Sequence, residues 1–170
     1  MKVSDLLPGD VLLFRPTTWL GRLVAWATGS EYCHAAMFLG GTSGKTVAEM
    51  REFTGGRIVP IAIYATEAID VFRADDADFE IRLDAILTMY RILGSPYSFW
   101  HGIAAWLLRR LPEFVRSKEC DHHGYHCSQA ISKAYRVAMF DLRPDLSDWA
   151  TTPGDLAASQ RLRLIGRLEF

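Results

Sequence analysis

The sequence predicts an α+β fold, an antiparallel sheet packed against helices. Three observations carry that prediction. Short apolar segments with strand character crowd into the first half of the chain, longer segments with helical periodicity follow, and a cysteine, Cys127, stands where a histidine-rich stretch becomes one of those helices. Early strands and late helices are the order expected of an α+β domain.

Taken in order, Pro8-Gly9-Asp10 is a turn that leads into Val11-Leu12-Leu13-Phe14, a buried strand. Pro16-Thr17-Thr18 offers a helix start, Trp19, Leu20, Leu23, Val24 and Ala27 make the stripe expected to face inward, and Gly29-Ser30 ends it. Residues 32–39 and 46–50 read as two strands joined by the glycine-rich loop 40–44. Gly55-Gly56 turns the chain into a strand at 57–59, and 69–73 is a fifth. A helix over 79–93 carries the stripe Leu83, Ile86, Leu87, Tyr90 and Leu93, and Gly94 with Pro96 closes it. A tryptophan-containing helix over 98–111, the Cys127 helix and a last strand over 162–168 complete the reading.

A length of 170 residues suits one domain, 1–170, with a sizeable core. The net charge of −1 and the lack of a basic stripe give no reason to expect nucleic acid. Three cysteines do not make a disulfide framework in a chain of this size. The first residues hold no apolar signal segment, and no run reaches the length of a membrane span. The expected location is cytoplasmic, unless a phage particle or a non-classical secretion machine carries the protein elsewhere.

Two motifs fail. Gly41-Thr42-Ser43-Gly44-Lys45-Thr46 looks like the end of a phosphate-binding loop, but Leu39 stands where that loop needs a glycine, and 46–50 alternates like a strand. Cys120, His122, His123, His126 and Cys127 suggest zinc, but their spacing does not match the usual ligand sets. No metal and no cofactor are expected, and the roles of the three histidines stay open.

Cys127 is the chemical candidate. It shares a helical stripe with Ile131, Ala134 and Ala138, so its thiol points at the protein body. The partial positive charge of free N–H groups in a first helical turn favours the thiolate, which is the nucleophile. A cysteine nucleophile needs a base and a group that orients the base. His126 is its neighbour in the chain, but adjacent side chains at a helix start point in different directions. His34 is better placed, on a strand. With the hairpin turn centred between Gly41 and Thr42, Glu49 falls directly opposite His34 and projects from the same face.

These segments resemble the circularly permuted branch of the papain-like NlpC superfamily, the YiiX/YaeF group, which is related to lecithin:retinol acyltransferase. The resemblance rests on residues 8–15 (PGDVLLFR), Tyr32-Cys33-His34-Ala35-Ala36-Met37, Val47-Ala48-Glu49-Met50, Gly94-Ser95-Pro96-Tyr97, Tyr125-His126-Cys127-Ser128-Gln129 and Thr152-Pro153-Gly154-Asp155-Leu156, in that order. It implies a permuted papain-like fold with nucleophile Cys127, base His34 and orienter Glu49. Tyr97 and Tyr125 are the candidate substrate-contacting residues. Gln129 departs from the group, which often has glutamate there.

The resemblance implies two substrate classes: an amide in a cell-wall (murein) peptide, ranked first, and an ester or amide in an acyl lipid. Phe99, Trp100, Ile103, Trp106, Leu107 and Leu108 would offer the lipid an apolar surface. A third reading is a non-catalytic structural or binding domain of a phage or secretion system.

Overall fold

The structure is a computed structural model that describes residues 1–41, 45–52, 54–98 and 124–170. The expected helix over 98–111, its apolar stripe, Cys120, His122, His123 and the tip of the first hairpin lie outside the described residues, apart from Ser98.

Six strands, β1 (Val11–Phe14), β2 (His34–Gly40), β3 (Thr46–Arg51), β4 (Gly55–Pro60), β5 (Ile69–Arg73) and β6 (Arg163–Arg167), form one sheet in the order β4-β3-β2-β1-β5-β6. Every pairing is antiparallel. The helices are α1 (Trp19–Thr28), α2 (Phe79–Ile92), α3 (Cys127–Val137) and the short α4 (Pro153–Ala157). The α+β expectation is met.

Two cores explain why β1 and all of β2 after His34 lack polar side chains. One side of the sheet presents Val11, Leu13, Ala35, Met37, Ala48 and Met50 to α2 and α3, which pack against each other through residues such as Ala85, Met89, Ala130, Ile131 and Ala134. Alternate residues, among them Leu12, Phe14, Ala36, Phe38, Val47 and Val71, bury against Leu6, Ile61, Tyr64 and Leu168. Strands covered on both faces cannot alternate in polarity. The edge strands β4 and β6 are half exposed and carry Arg57, Arg163 and Arg167, charges that discourage pairing with another chain.

Three expectations need correction. In the first hairpin Glu49 lies opposite Ala36, not His34, because the loop closes later than Gly41-Thr42 and a bulge between Phe38 and Gly40 shifts the register. The shift is two residues, so His34 and Glu49 stay on one face as diagonal neighbours. In α1, Trp19 is 77% exposed and Leu20 and Leu23 are also exposed, while Ala25 and Thr28 are buried. In α2, Ile86 is buried as expected, but Leu83, Leu87 and Tyr90 face outward and Ala85, Thr88, Met89 and Ile92 take the inner side. Both helices carry apolar residues on more than one side, so periodicity alone does not select the buried face. Gly55 and Gly56 also do more than turn the chain: they open β4, and a Cβ on Gly56 would sit 2.5 Å from the Leu93 backbone.

Candidate active site

Cys127 opens α3, and His126 caps it. The His126 Nδ1 accepts from the Gln129 N–H at 3.4 Å, and Gln129 Oε1 accepts from the His126 N–H at 3.3 Å, which closes a capping box. Gln129 therefore serves the helix start, the role a glutamate would serve at that position. The other ring nitrogen, Nε2, faces the Trp149 carbonyl at 3.0 Å and must carry the proton. Ser132 donates to Asp148 at 2.7 Å and Ser128 to the Thr151 carbonyl at 2.7 Å, which fixes the 148–151 turn under His126. Tyr135 donates to the Gly9 carbonyl at 2.5 Å and ties α3 to the turn before β1. The stripe of Cys127, Ile131, Ala134 and Ala138 is buried as the periodicity required.

His34 opens β2, so its ring lies at the end of the sheet, where the start of α3 also arrives. Its Nε2 donates to Glu49 Oε2 at 2.5 Å. That leaves Nδ1 as the ring nitrogen available to the Cys127 thiol, whose charge acts on His34. Phe14 holds the ring from the neighbouring strand, with centroids 5.2 Å apart. The structure thus brings Cys127, His34 and Glu49 together, and the distant histidine is preferred over the adjacent one for a physical reason. Both ring nitrogens of His126 already have partners, Nδ1 the Gln129 N–H and the Ser128 hydroxyl and Nε2 the Trp149 carbonyl, so His126 adds a contact to the thiol, whereas His34 Nδ1 is left over after the bond to Glu49.

Glu49 is fully buried, and its second oxygen is as well satisfied as the first. Oε1 accepts from Arg57 Nε at 2.7 Å, Arg57 Nη2 at 2.6 Å and the Tyr64 hydroxyl at 2.5 Å. The sheet register sets Arg57 directly opposite Glu49, and Tyr64 comes from the short 3-10 turn after β4. Neither residue is evident from the sequence reading. The signal for Arg57 lay in extending the β3–β4 hairpin back through Gly55-Gly56.

Charges follow from these contacts. Burial alone would raise the Glu49 carboxyl, but His34, Tyr64 and Arg57 hold it at about 2. Burial would lower His34, but the Cys127 thiolate and Glu49 push it up to about 10. Burial would raise Cys127, but contact with His126 and His34 brings it down to about 6. Both directions favour a thiolate beside an imidazolium. Cys33, next to His34 in the chain, is the opposite case: burial, then the nearby Cys127 charge, push its thiol up to about 12. It stays a thiol and donates to the Phe14 carbonyl at 3.5 Å.

Two hollows flank the constellation. One, of about 100 Å³, runs between His34, Cys33, Arg51 and Tyr64 on one side and Thr18, Leu20 and Val24 on the other. The second is a groove lined by residues 54–56 and 93–97 and ending on Tyr97. Tyr97 and Tyr125 form a short bridge, with the Ser98 N–H on the Tyr125 carbonyl and the Tyr125 N–H on the Pro96 carbonyl, each at 3.1 Å. Both rings pack on the core that holds Cys127. Burial and the nearby Cys127 charge raise the Tyr97 hydroxyl. Among the described residues, no group of three or more His, Cys, Asp or Glu is placed to hold a metal ion, and no helix is long and apolar enough to cross a membrane.

The fold is similar to that of a solved structure. The crystal structure of the metalloprotein YiiX from Escherichia coli O157:H7 superimposes over 96% of this chain and 98% of that one, with a TM-score of 0.64 and 16% sequence identity. The likeness is one of fold. No family model and no curated protein sequence matches the chain.

Proposed function

We propose that this protein is a papain-like cysteine hydrolase of the permuted NlpC type, acting through an acyl-enzyme on an amide of a cell-wall peptide. The observation that carries the reading is the buried line Cys127, His34, Glu49, drawn from a helix start and a hairpin 93 residues away in sequence (127 less 34). A likeness of fold to YiiX agrees with it.

The Cys127 thiolate attacks the acyl carbonyl, a C–S bond forms, and the carbonyl electrons move to oxygen. The Cys127 N–H, free in the first turn of α3, is the nearest backbone donor to that oxyanion. As the C–N bond breaks, the His34 imidazolium gives its proton to the departing amine. Neutral His34 then takes a proton from water. The hydroxide adds to the thioester, the C–S bond breaks, and the acid leaves with thiolate and imidazolium restored. Glu49 holds the ring in place throughout. Tyr97 and Tyr125, beside the nucleophile, are the residues we assign to substrate contact.

One observation favours the second substrate class, an ester or amide in an acyl lipid. Leu20 lines the hollow beside His34 and is continuous with the exposed Trp19, Leu23 and Trp26 of α1, a surface suited to an acyl chain.

Incubation with purified murein and, separately, with phospholipid vesicles, followed by mass analysis of products, separates the two. Amide cleavage in murein that is lost by at least about a thousandfold in Cys127→Ser supports the proposal. Iodoacetamide labelling provides the substrate-free check. The wild-type rate should rise through about pH 6. In His34→Ala the thiol moves up toward its ordinary value of about 8.5, which cuts labelling at pH 7 by up to about thirtyfold. Equal labelling of the two proteins at pH 7 would make Cys127 a structural cysteine.

A further inference from the structure

We infer that Arg57 and Tyr64 are positioning residues of this site: they hold the Glu49 carboxylate ionised and fixed, so that Cys127 and His34 can rest as a thiolate–imidazolium pair. The inference rests on the cysteine-nucleophile reading above and extends it to two residues that act through Glu49.

The donor set comes first. A protonated carboxyl carries one donor of its own, whereas a carboxylate only accepts. Glu49 meets donors at every turn: the His34 Nε2–H on one oxygen and two Arg57 nitrogens with the Tyr64 hydroxyl on the other. A protonated Glu49 would face one of those donors with its own. The arrangement therefore selects the anion. It also selects an orientation, because the Arg57 fork and Tyr64 together fix the carboxylate plane that His34 must meet. The pieces are mutually braced. Arg57 Nη2 donates to the Tyr64 hydroxyl at 3.4 Å, and Tyr64 packs edge-on against Phe14, the ring that also holds His34.

Charge balance comes second. The resting site holds two anions, the Cys127 thiolate and the Glu49 carboxylate, and two cations, the His34 imidazolium and the Arg57 guanidinium. Without Arg57 the buried set would hold an excess negative charge. Burying an unbalanced charge is costly, and the relief is a proton. Taken up by the thiol or passed from His34 to Glu49, that proton removes the reactive pair. The other groups facing the set do not replace Arg57. Arg51 Nη1 stands 3.9 Å from Glu49 Oε2 and is 43% exposed, so water screens it. Glu52 and Glu67 act on the neighbouring Cys33 and Glu52 on Tyr97, with the wrong sign. His126, also beside the thiol, is committed to the helix cap.

The test is the pH dependence of iodoacetamide alkylation of Cys127 in wild type, Arg57→Met, Arg57→Lys and Tyr64→Phe, with circular dichroism to show folding. Arg57→Met should move the alkylation midpoint up by about one unit or more. Arg57→Lys keeps the charge but loses the fork and should move it less. Tyr64→Phe removes one hydrogen bond and should move it by a few tenths of a unit, on the order expected for one neutral donor. A merely structural role would lower the melting temperature and leave all midpoints together. Folded Arg57→Met with a profile superimposed on a low wild-type midpoint overturns the inference alone. If Arg57→Met does not fold, the other two variants decide: a shift in either supports the inference, and superposition of both on wild type overturns it. A wild-type midpoint at the ordinary thiol value removes the nucleophile reading and this inference with it.

Discussion

The hairpin that carries His34 and Glu49 and the helix start that carries Cys127 treat buried polar groups in opposite ways. On the hairpin, the Glu49 oxygens accept from His34, both donating nitrogens of the Arg57 fork, and Tyr64, within 2.5–2.7 Å. At the helix start the thiol is left to two imidazoles, and one of those is spent on the cap and on Trp149. The contrast assigns the labour. The hairpin is over-determined and holds a fixed charge. The helix start is under-determined, and its sulfur is the atom free to change partners. A site built to react needs both, a rigid frame and one group with an unspent interaction.

The largest effect should come from breaking the frame. Glu49→Gln keeps the shape but turns an acceptor-only group into an amide, whose N–H₂ must face His34 or Arg57. Breaking a buried ion pair costs about 3–5 kcal/mol, and the partial exposure of Arg57 places this one toward the lower end. A domain of this size should then melt about ten degrees lower. Glu49 is depressed in the folded state, so its contribution is complete above its ordinary value of 4.5 and is lost as pH falls toward 2. The variant should therefore lack the part of the acid-induced loss of stability that wild type shows across that interval. Thermal melts from pH 2 to 7 measure both. Matching melts would mean that the frame is not held by this charge.

The helix start should tolerate more. His126→Ala removes the cap and should cost about 1 kcal/mol of stability. His126→Asn restores a good capping side chain and should melt within a degree or two of wild type. In both variants the thiol loses one of its two imidazole contacts and its midpoint should rise, while His34 still keeps it below the ordinary thiol range. Melting curves and alkylation profiles on the same two proteins separate the cap from the electrostatic contact. A fall in reactivity as large as that of His34→Ala would transfer the base to His126.

The same contrast explains what could be read in the sequence. β1 is found where it was expected, at Val11–Phe14, because a Pro-Gly-Asp turn and Pro16 bracket an unbroken apolar run. Cys127 sits at its helix start because Gly124 precedes it and a regular small-apolar stripe follows. His34 and Glu49 were legible as partners through parity alone. A register slip of two residues left both on one face, where a slip of one would have separated them. The late loop alone would slip the register by three, and the bulge, which has no signal in the strand itself, takes one of those back. Periodicity does not choose the inward faces of α1 and α2, because WLGRLVAWAT and FEIRLDAILTMYRI both place large apolar residues on more than one side. Arg57 and Tyr64 stayed hidden because their meaning comes from β4 lying beside β3, a neighbour relation that neither residue encodes alone.

The smallest effect should fall on Gln129, whose side chain closes the capping box at the start of α3. Its Oε1 accepts from the His126 N–H at 3.3 Å, near the outer limit of a useful hydrogen bond. Its own N–H bond to His126 Nδ1 is a backbone contact and survives any substitution of the side chain. Gln129→Ala should therefore cost about 0.5 kcal/mol, at the low end for a capping interaction, and leave the alkylation midpoint in place. Gln129→Glu keeps the box but puts a carboxylate two residues along the helix from the thiolate, in a position 7% exposed. Helix-dipole attraction favours that charge, whereas burial and repulsion from the thiolate oppose it. The net should appear as a raised thiol midpoint with little change in melting temperature. A midpoint unmoved by the added carboxylate would mean that the thiol's environment is set by His34 and the Glu49 frame, with the helix start supplying position and no charge control.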